Sequence, residues 1–154
     1  MTEKEQINKF FVDCFYSILS AEERVLEPLC RGNLSIKEIH VIEAVYLSKK
    51  SGENNFSSIA KRLGVTLGTL TASFSRLEQK GLLYKVRDDD DKRVFFIELT
   101  PFGEEINEAH LKFHGQMVDG IVTRLSQEEL GHLVFALDRL GDFFKSLGTD
   151  ADGS

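Results

Sequence analysis

Gly64, Gly81 and the acidic run Asp88–Asp91 cut the stretch from Phe56 to Leu99 into four short pieces, and this punctuation most limits the fold. A short helix is predicted from Phe56 to Leu63 and ends at Gly64, because glycine readily takes the left-handed conformation of a helix C-terminus. Thr66 caps a second helix, on which Leu70, Phe74 and Leu77 share a face, and Gly81 stops it. Leu83–Arg87 and Val94–Leu99 read as two short strands around the acidic turn. Two helices joined by a tight Gly-containing turn make a helix-turn-helix, here followed by a hairpin.

The flanks are helical. Ile7, Phe10, Phe11, Cys14, Phe15 and Ile18 recur at steps of three and four, with Pro28 near the end of that helix. Ser35 and Glu38 form a capping-box pattern opening a helix with Ile39, Ile42 and Tyr46 inward, and residues 51–55 form a loop. Thr100 and Pro101 pair a cap with a proline at the first helical position. The helix they open carries Phe102, Ile106, Phe113, Met117 and Ile121 on one side. Ser126 and Glu129 repeat the capping box before a last stripe of Leu130, Leu133, Leu137, Leu140, Phe144 and Leu147.

The fold class is therefore mainly α with a small β-hairpin wing. The reading is a single domain over 1–154: a winged helix-turn-helix core at 35–100, flanking helices at 1–30 and 101–147, and a tail at 148–154. The flanking helices carry more apolar surface than the core can cover, which calls for a second subunit and makes them dimerisation helices.

At 154 residues the chain is one domain's worth of core, since domains commonly run about 100–200 residues. No apolar run approaches the ~18 residues of a membrane span, and Met1–Phe10 is charged in both signs without a signal core, so the expectation is a cytoplasmic protein with no membrane partner. Cys14 and Cys30 are too few for a disulfide framework and read as free thiols, with no basic neighbour on their helix faces to activate them. The chain has no Gly-rich phosphate loop, no nucleophile elbow and no apolar pocket of carboxylates, so no enzyme and no cofactor is expected.

The net charge of −6 argues against a polyanionic partner until its distribution is considered. Between Lys61 and Arg93 there are eight basic and five acidic residues, a local +3 that leaves −9 for the rest. A basic island on an acidic chain suits DNA. On the second helix of the motif, Thr66, Gly68, Thr69, Thr71, Ser73 and Ser75 point outward, with Arg76 nearer the phosphates. Small hydroxyl side chains reach base edges without steric cost, and Gly68 permits close backbone approach. The same segment also suits an ordinary helical hairpin with a solvated face. A winged-helix interaction module that binds no DNA is the rival class.

Three motifs carry a family resemblance: Ile59-Ala60-x-x-Leu63-Gly64-Val65-Thr66; Leu77-Glu78-x-Lys80-Gly81-Leu82; and Asp91-Lys92-Arg93, then five residues, then Leu99-Thr100-x-x-Gly103. With its flanking helices the chain resembles, over nearly its whole length, the MarR family of winged-helix regulators. The resemblance implies a homodimer on a palindromic operator in double-stranded DNA, acting as a repressor. It places Thr66–Arg76 in the major groove and Arg93 in the minor groove, held by Asp91. An arginine at a hairpin tip suits a narrow, electronegative minor groove. The departure is Asp88–Asp90, three further carboxylates near phosphate, which predict modest affinity or a steep salt dependence.

Within that family, Val65-Thr66-Leu67-Gly68-Thr69-Leu70-Thr71 resembles the repressors of bacterial fatty-acid synthesis. So do Lys112-x-His114-x-x-Met117-Val118 and Ser35-Ile36-Lys37-Glu38-x-His40. That branch implies a long acyl chain on acyl carrier protein as the ligand that strengthens DNA binding. Twelve Phe and no Trp suit an apolar cavity and an ordinary core equally. The alternative sensor is metal. His110 and His114 stand four apart on one helix, a spacing that can hold zinc, and Cys30 and His40 add ligand types. Zinc-sensing members of the family use similar positions, although Arg24 stands where they would want a carboxylate, with Glu22, Glu23 and Glu27 near. Histidines hydrogen-bonded at the margin of a core fit the same pattern.

Overall fold

The computed structural model describes residues 1–30 and 33–151, with the side chains of 30 and 149–151 set aside. Helix α1 (Glu3–Cys30) is followed by α2 (Ile36–Lys50), α3 (Phe56–Leu63) and α4 (Leu67–Gln79). The hairpin β1 (Leu83–Arg87) and β2 (Phe95–Leu99) precedes α5 (Pro101–Val122) and α6 (Gln127–Ala151). The chain forms two compact units, Met1–Phe113 and His114–Ser154, with the boundary inside α5.

The element ends are set by the local chemistry their residues supply. Ser35 accepts from the Glu38 amide at 3.2 Å while Glu38 accepts from the Ser35 amide, so α2 opens on a complete capping box. Asn55 caps α3, a role its place at the end of the 51–55 loop allows, and Gly64 closes that helix at φ +68°. The strands pair antiparallel with Leu83 opposite Leu99, Lys85 opposite Ile97 and Arg87 opposite Phe95. The second strand starts at Phe95 rather than Val94, because the Val94 amide donates into the turn, to the Asp91 carbonyl.

Loop 51–55 does more than connect. Asn54 donates from Nδ2 to the Ile97 carbonyl at 2.9 Å and accepts at its own carbonyl from the Ile97 amide, and Asn55 forms a bridge with Phe96. The outer edge of β2 is thereby partly covered, which removes open donors and acceptors from the wing.

The core of the first unit draws on every one of its elements, most heavily on α2 and α4. Ile39, Ile42 and Val45 of α2 meet Ile59, Leu70, Phe74 and Leu77, with Leu83 and Ile97 of the hairpin, Leu26 of α1 and Ile106 of α5. Helix α2 is buried on several sides, at Val41 and Ala44 as well as Ile39 and Ile42, while Tyr46 is only half-buried. A helix enclosed by neighbours needs no single stripe. In α1 only the later turns dock. Leu26 is 1% exposed, whereas Ile7, Phe10 and Phe15 of the predicted stripe are 56–66% exposed and Cys14 is half-buried.

In the second unit, Ser126 and Glu129 cap α6 reciprocally, and Val134, Phe135, Leu137 and Phe143 are exposed. No helix among the described residues is long and apolar enough to cross a membrane.

Candidate nucleic-acid interface

Helix α4 divides cleanly. Leu70, Phe74 and Leu77 are at most 3% exposed, while Thr66, Gly68, Thr69, Thr71, Ser75 and Arg76 face out and Ser73 is half-buried. At its start the Thr66 hydroxyl accepts from the Thr69 amide at 3.2 Å and donates to the Thr69 hydroxyl at 2.9 Å. Thr69 therefore keeps its own hydroxyl hydrogen for an outside acceptor. Thr71 is the opposite case. Its hydroxyl donates to the Leu67 carbonyl at 2.8 Å, which leaves it lone pairs for an outside donor. Arg76 donates to the Ser73 hydroxyl at 3.2 Å and lines one groove with Lys37, Thr69 and Ser73. Lys37 was not expected there, since nothing local in its sequence marks it. A Cβ built on Gly68 meets nothing within 4 Å, so the protein itself does not require glycine at that point.

At the wing, Arg93 is held as a fork. Its Nε and Nη2 donate to the two Asp91 oxygens at 3.1 and 3.2 Å, and its amide donates to the same carboxylate. The Arg93 hydrogen bonds hold the Asp91 carboxyl below its ordinary pKa. The Arg93 side chain is 91% exposed, so the fork fixes its direction without hiding it. Asp88 and Asp90 build the turn: the Asp90 amide donates to the Asp88 carboxylate at 3.1 Å. The structure brings wing and helix together, because Arg93 and Phe95 line the same groove as Leu67 and Thr71.

The last motif of the sequence fastens this surface to α5. Thr100 donates from its hydroxyl to the Gly81 carbonyl at 2.5 Å and accepts from the Gly103 amide at 3.1 Å. Its own amide donates to the Leu82 carbonyl. At the same end of α4, Lys80 reaches Glu38 of α2 at 2.9 Å and the Asn33 carbonyl at 2.6 Å. Burial alone would raise the Glu38 carboxyl. The Lys80 ammonium and the Ser35 hydrogen bonds outweigh it and hold the group below the ordinary range.

The sensor candidates adjoin this surface, since His40 and Lys37 line the groove beside Arg76 as well as a cavity against α1. His110 of α5, 0% exposed, meets Glu22 of α1 through Nε2 and Glu43 of α2 through Nδ1, the latter at 3.2 Å. His40 Nε2 stands 4.0 Å from the same Glu22 oxygen, and one ligand atom each from Glu22, His40 and His110 lie within 4.8 Å of one another. The carboxylate of this group is thus Glu22, two residues before Arg24. His114 belongs to the second unit and is half-buried, and the Cys30 side chain lies outside the described residues. A cavity of about 730 Å³ between α1 and α2 is lined by Leu19, Leu26, Leu34, Ile36 and Ile39, with Glu23, Glu27, Lys37 and His40.

Residues 24–110 match the family model described as transcriptional regulator SarA/Rot. The chain is similar to Streptococcus pneumoniae FabT, solved in complex with DNA, at 34% identity and a TM-score of 0.82, covering 94% of this chain and 99% of that one. It is 26% identical to the HTH-type transcriptional regulator MhqR of Bacillus subtilis over 92% of this chain and 94% of that one. A solved MarR-family transcription regulator shares the fold at a TM-score of 0.74 and 17% identity, over 96% of this chain and 93% of that one. The described residues form a helix-turn-helix with a two-stranded wing and flanking helices, and the chain belongs to the MarR family of winged-helix transcriptional regulators.

Proposed function

We propose that this chain is a sequence-specific DNA-binding repressor that works as a homodimer on a palindromic operator. The observation that carries it is the pairing of two exposed elements on one groove: the hydroxyl-bearing face of α4 and the Asp91-braced Arg93 of the wing. Thr66, Gly68, Thr69, Thr71, Ser73, Ser75 and Arg76 serve the major groove, and Arg93 enters the minor groove. A second copy covers the exposed Ile7, Phe10 and Phe15 of α1 and the exposed apolar face of α6. This reading assigns the chain a regulatory rather than catalytic role in the cytoplasm.

The test is operator binding by Arg93→Ala against wild type across a salt series. With one arginine per subunit, the slope of log affinity against log salt is expected to fall by about two per dimer. An unchanged affinity and slope would remove Arg93 from the interface.

The effector in this reading is a long acyl chain delivered by acyl carrier protein. The similarity to FabT and the aliphatic cavity between α1 and α2 support it. Each buried methylene contributes about 0.8 kcal/mol, so affinity is expected to climb with chain length until the cavity is full. One observation favours a second reading, zinc. Two imidazoles and a carboxylate converge from three helices, and Glu43 backs His110 as the outer carboxylate of a metal-bound histidine does. Titration separates the two. Acyl carrier proteins of graded chain length tighten operator binding in the first, with chelator inert. In the second, chelator releases DNA, zinc restores it, and His110→Ala abolishes the response.

A further inference from the structure

The wing carries a second pair of cations that the assignment of Arg93 does not use. Lys85 and Arg87 lie two apart on β1, so they share a face of the hairpin with Phe95 and Ile97 opposite them. Ile97 is fully buried, whereas Lys85 and Arg87 are exposed. Both converge on one ring: Lys85 Nζ is 4.8 Å and Arg87 Cζ 5.0 Å from the Phe95 centroid. Phe95 is half-buried and lines the groove it shares with Leu67 and Thr71 of α4 and with Arg93. Neither cation forms an ion pair among the described residues, although four aspartates follow Arg87 directly.

This arrangement has a physical reading. The negative face of an aromatic ring attracts a cation without neutralising it, and it restrains a long side chain that would otherwise sample many rotamers. Two exposed cations are restrained on one ring, and that ring lines the groove between α4 and the wing, beside the path of a duplex backbone that leaves α4 for Arg93. We propose that Lys85 and Arg87 form a phosphate clamp for that backbone segment and that Phe95 is the positioning residue that holds them. The proposal rests on the DNA-binding reading and extends it beyond the recognition helix and Arg93. The clamp also offsets the repulsion between Asp88–Asp91 and the phosphates.

A phosphate clamp has a signature distinct from base readout. The experiment measures binding of full-length protein, by fluorescence anisotropy, to a duplex recovered by selection from random DNA and to a scrambled duplex, each across a salt series. Lys85→Gln and Arg87→Gln are each expected to weaken both duplexes alike and to lower the salt slope by about two per dimer. Phe95→Leu retains both charges and is expected to lose roughly fivefold in affinity, while Phe95→Tyr, which keeps the ring, restores wild-type binding. Both exposed substitutions leave thermal melting unchanged, so they decide the matter even if Phe95→Leu disturbs the fold. Wild-type slopes in Lys85→Gln and Arg87→Gln, alongside a reduced slope in Arg93→Ala, would overturn the clamp and leave the DNA reading standing. A selection from which wild-type protein recovers no duplex would overturn both.

Discussion

Gly103 passes so close to the Leu82 carbonyl that a Cβ on residue 103 would stand 2.2 Å from that oxygen. The contact joins the first turn of α5 to the turn between α4 and β1, where Thr100 already bonds the Gly81 and Leu82 carbonyls. The glycine of the Leu99-Thr100-x-x-Gly103 motif is there because two backbones meet, and that seam ties the recognition helix to a flanking helix.

Gly103→Ala is accordingly expected to destabilise the fold by about 1–3 kcal/mol, the range for forcing a methyl group into packed surroundings. The carbonyl it strikes is backbone and cannot swing aside as a side chain would. Urea melting by circular dichroism measures it, and a variant as stable as wild type would show that the seam opens easily.

Gly68→Ala is expected to behave in the opposite way. Its Cβ meets nothing in the chain, and alanine in a helix gains roughly 0.5–1 kcal/mol over glycine. Stability should hold or rise while operator affinity falls, because the methyl group occupies the space a DNA backbone or base edge needs. Unchanged operator binding would show that DNA does not approach the start of α4 closely.

Thr69 and Thr71 should differ in what they recognise. Thr69→Val removes a hydroxyl with a hydrogen to donate, and Thr71→Val removes one whose hydrogen is committed to Leu67. For a direct base contact each loss is about 1–3 kcal/mol at one operator position. Selection of preferred sites with each variant tests this. Relaxation is expected at an acceptor-bearing position for Thr69→Val and at a donor-bearing position for Thr71→Val. An equal loss on every sequence would make both residues phosphate contacts.

Glu38 predicts a feature of the acid limb of stability. Its folded-state carboxyl is held below the ordinary 4.5. The stability it contributes is thus fully present above that value and is lost as pH falls through the lowered folded-state value. Glu38→Gln is expected to be less stable than wild type at neutral pH and to converge with it in acid. A constant difference at all pH values would show that the effect of Lys80 and Glu38 is packing rather than charge.

Much of this architecture was legible in the residues because the interactions that set it are local. Ser35 with Glu38, Thr66 with Thr69, Gly64 at its left-handed turn and Ser126 with Glu129 all act within four residues, so composition and spacing determine them. The outward face of α4 followed from the inward one, since Leu70, Phe74 and Leu77 leave only one side for the hydroxyls. The Asp91–Arg93 fork also spans only two residues, and it was the family resemblance that implied it.

Tertiary structure decided the rest, for a common reason: the partners are far apart in the chain. Glu22, His40 and His110 come from three helices, and no spacing rule relates them, so the sequence alone paired His110 with His114 one turn away. Asn54 covers the edge of β2 forty-three residues later. Phe95 meets Lys85 and Arg87 only because the hairpin register sets position 95 opposite 87. Amphipathic stripes in α1 and α6 were determined by sequence, but only packing separates Leu26, which is buried in the chain, from Phe15, which is not. Periodicity tells a side chain which face it shares, and the arrival of another element decides whether that face is covered.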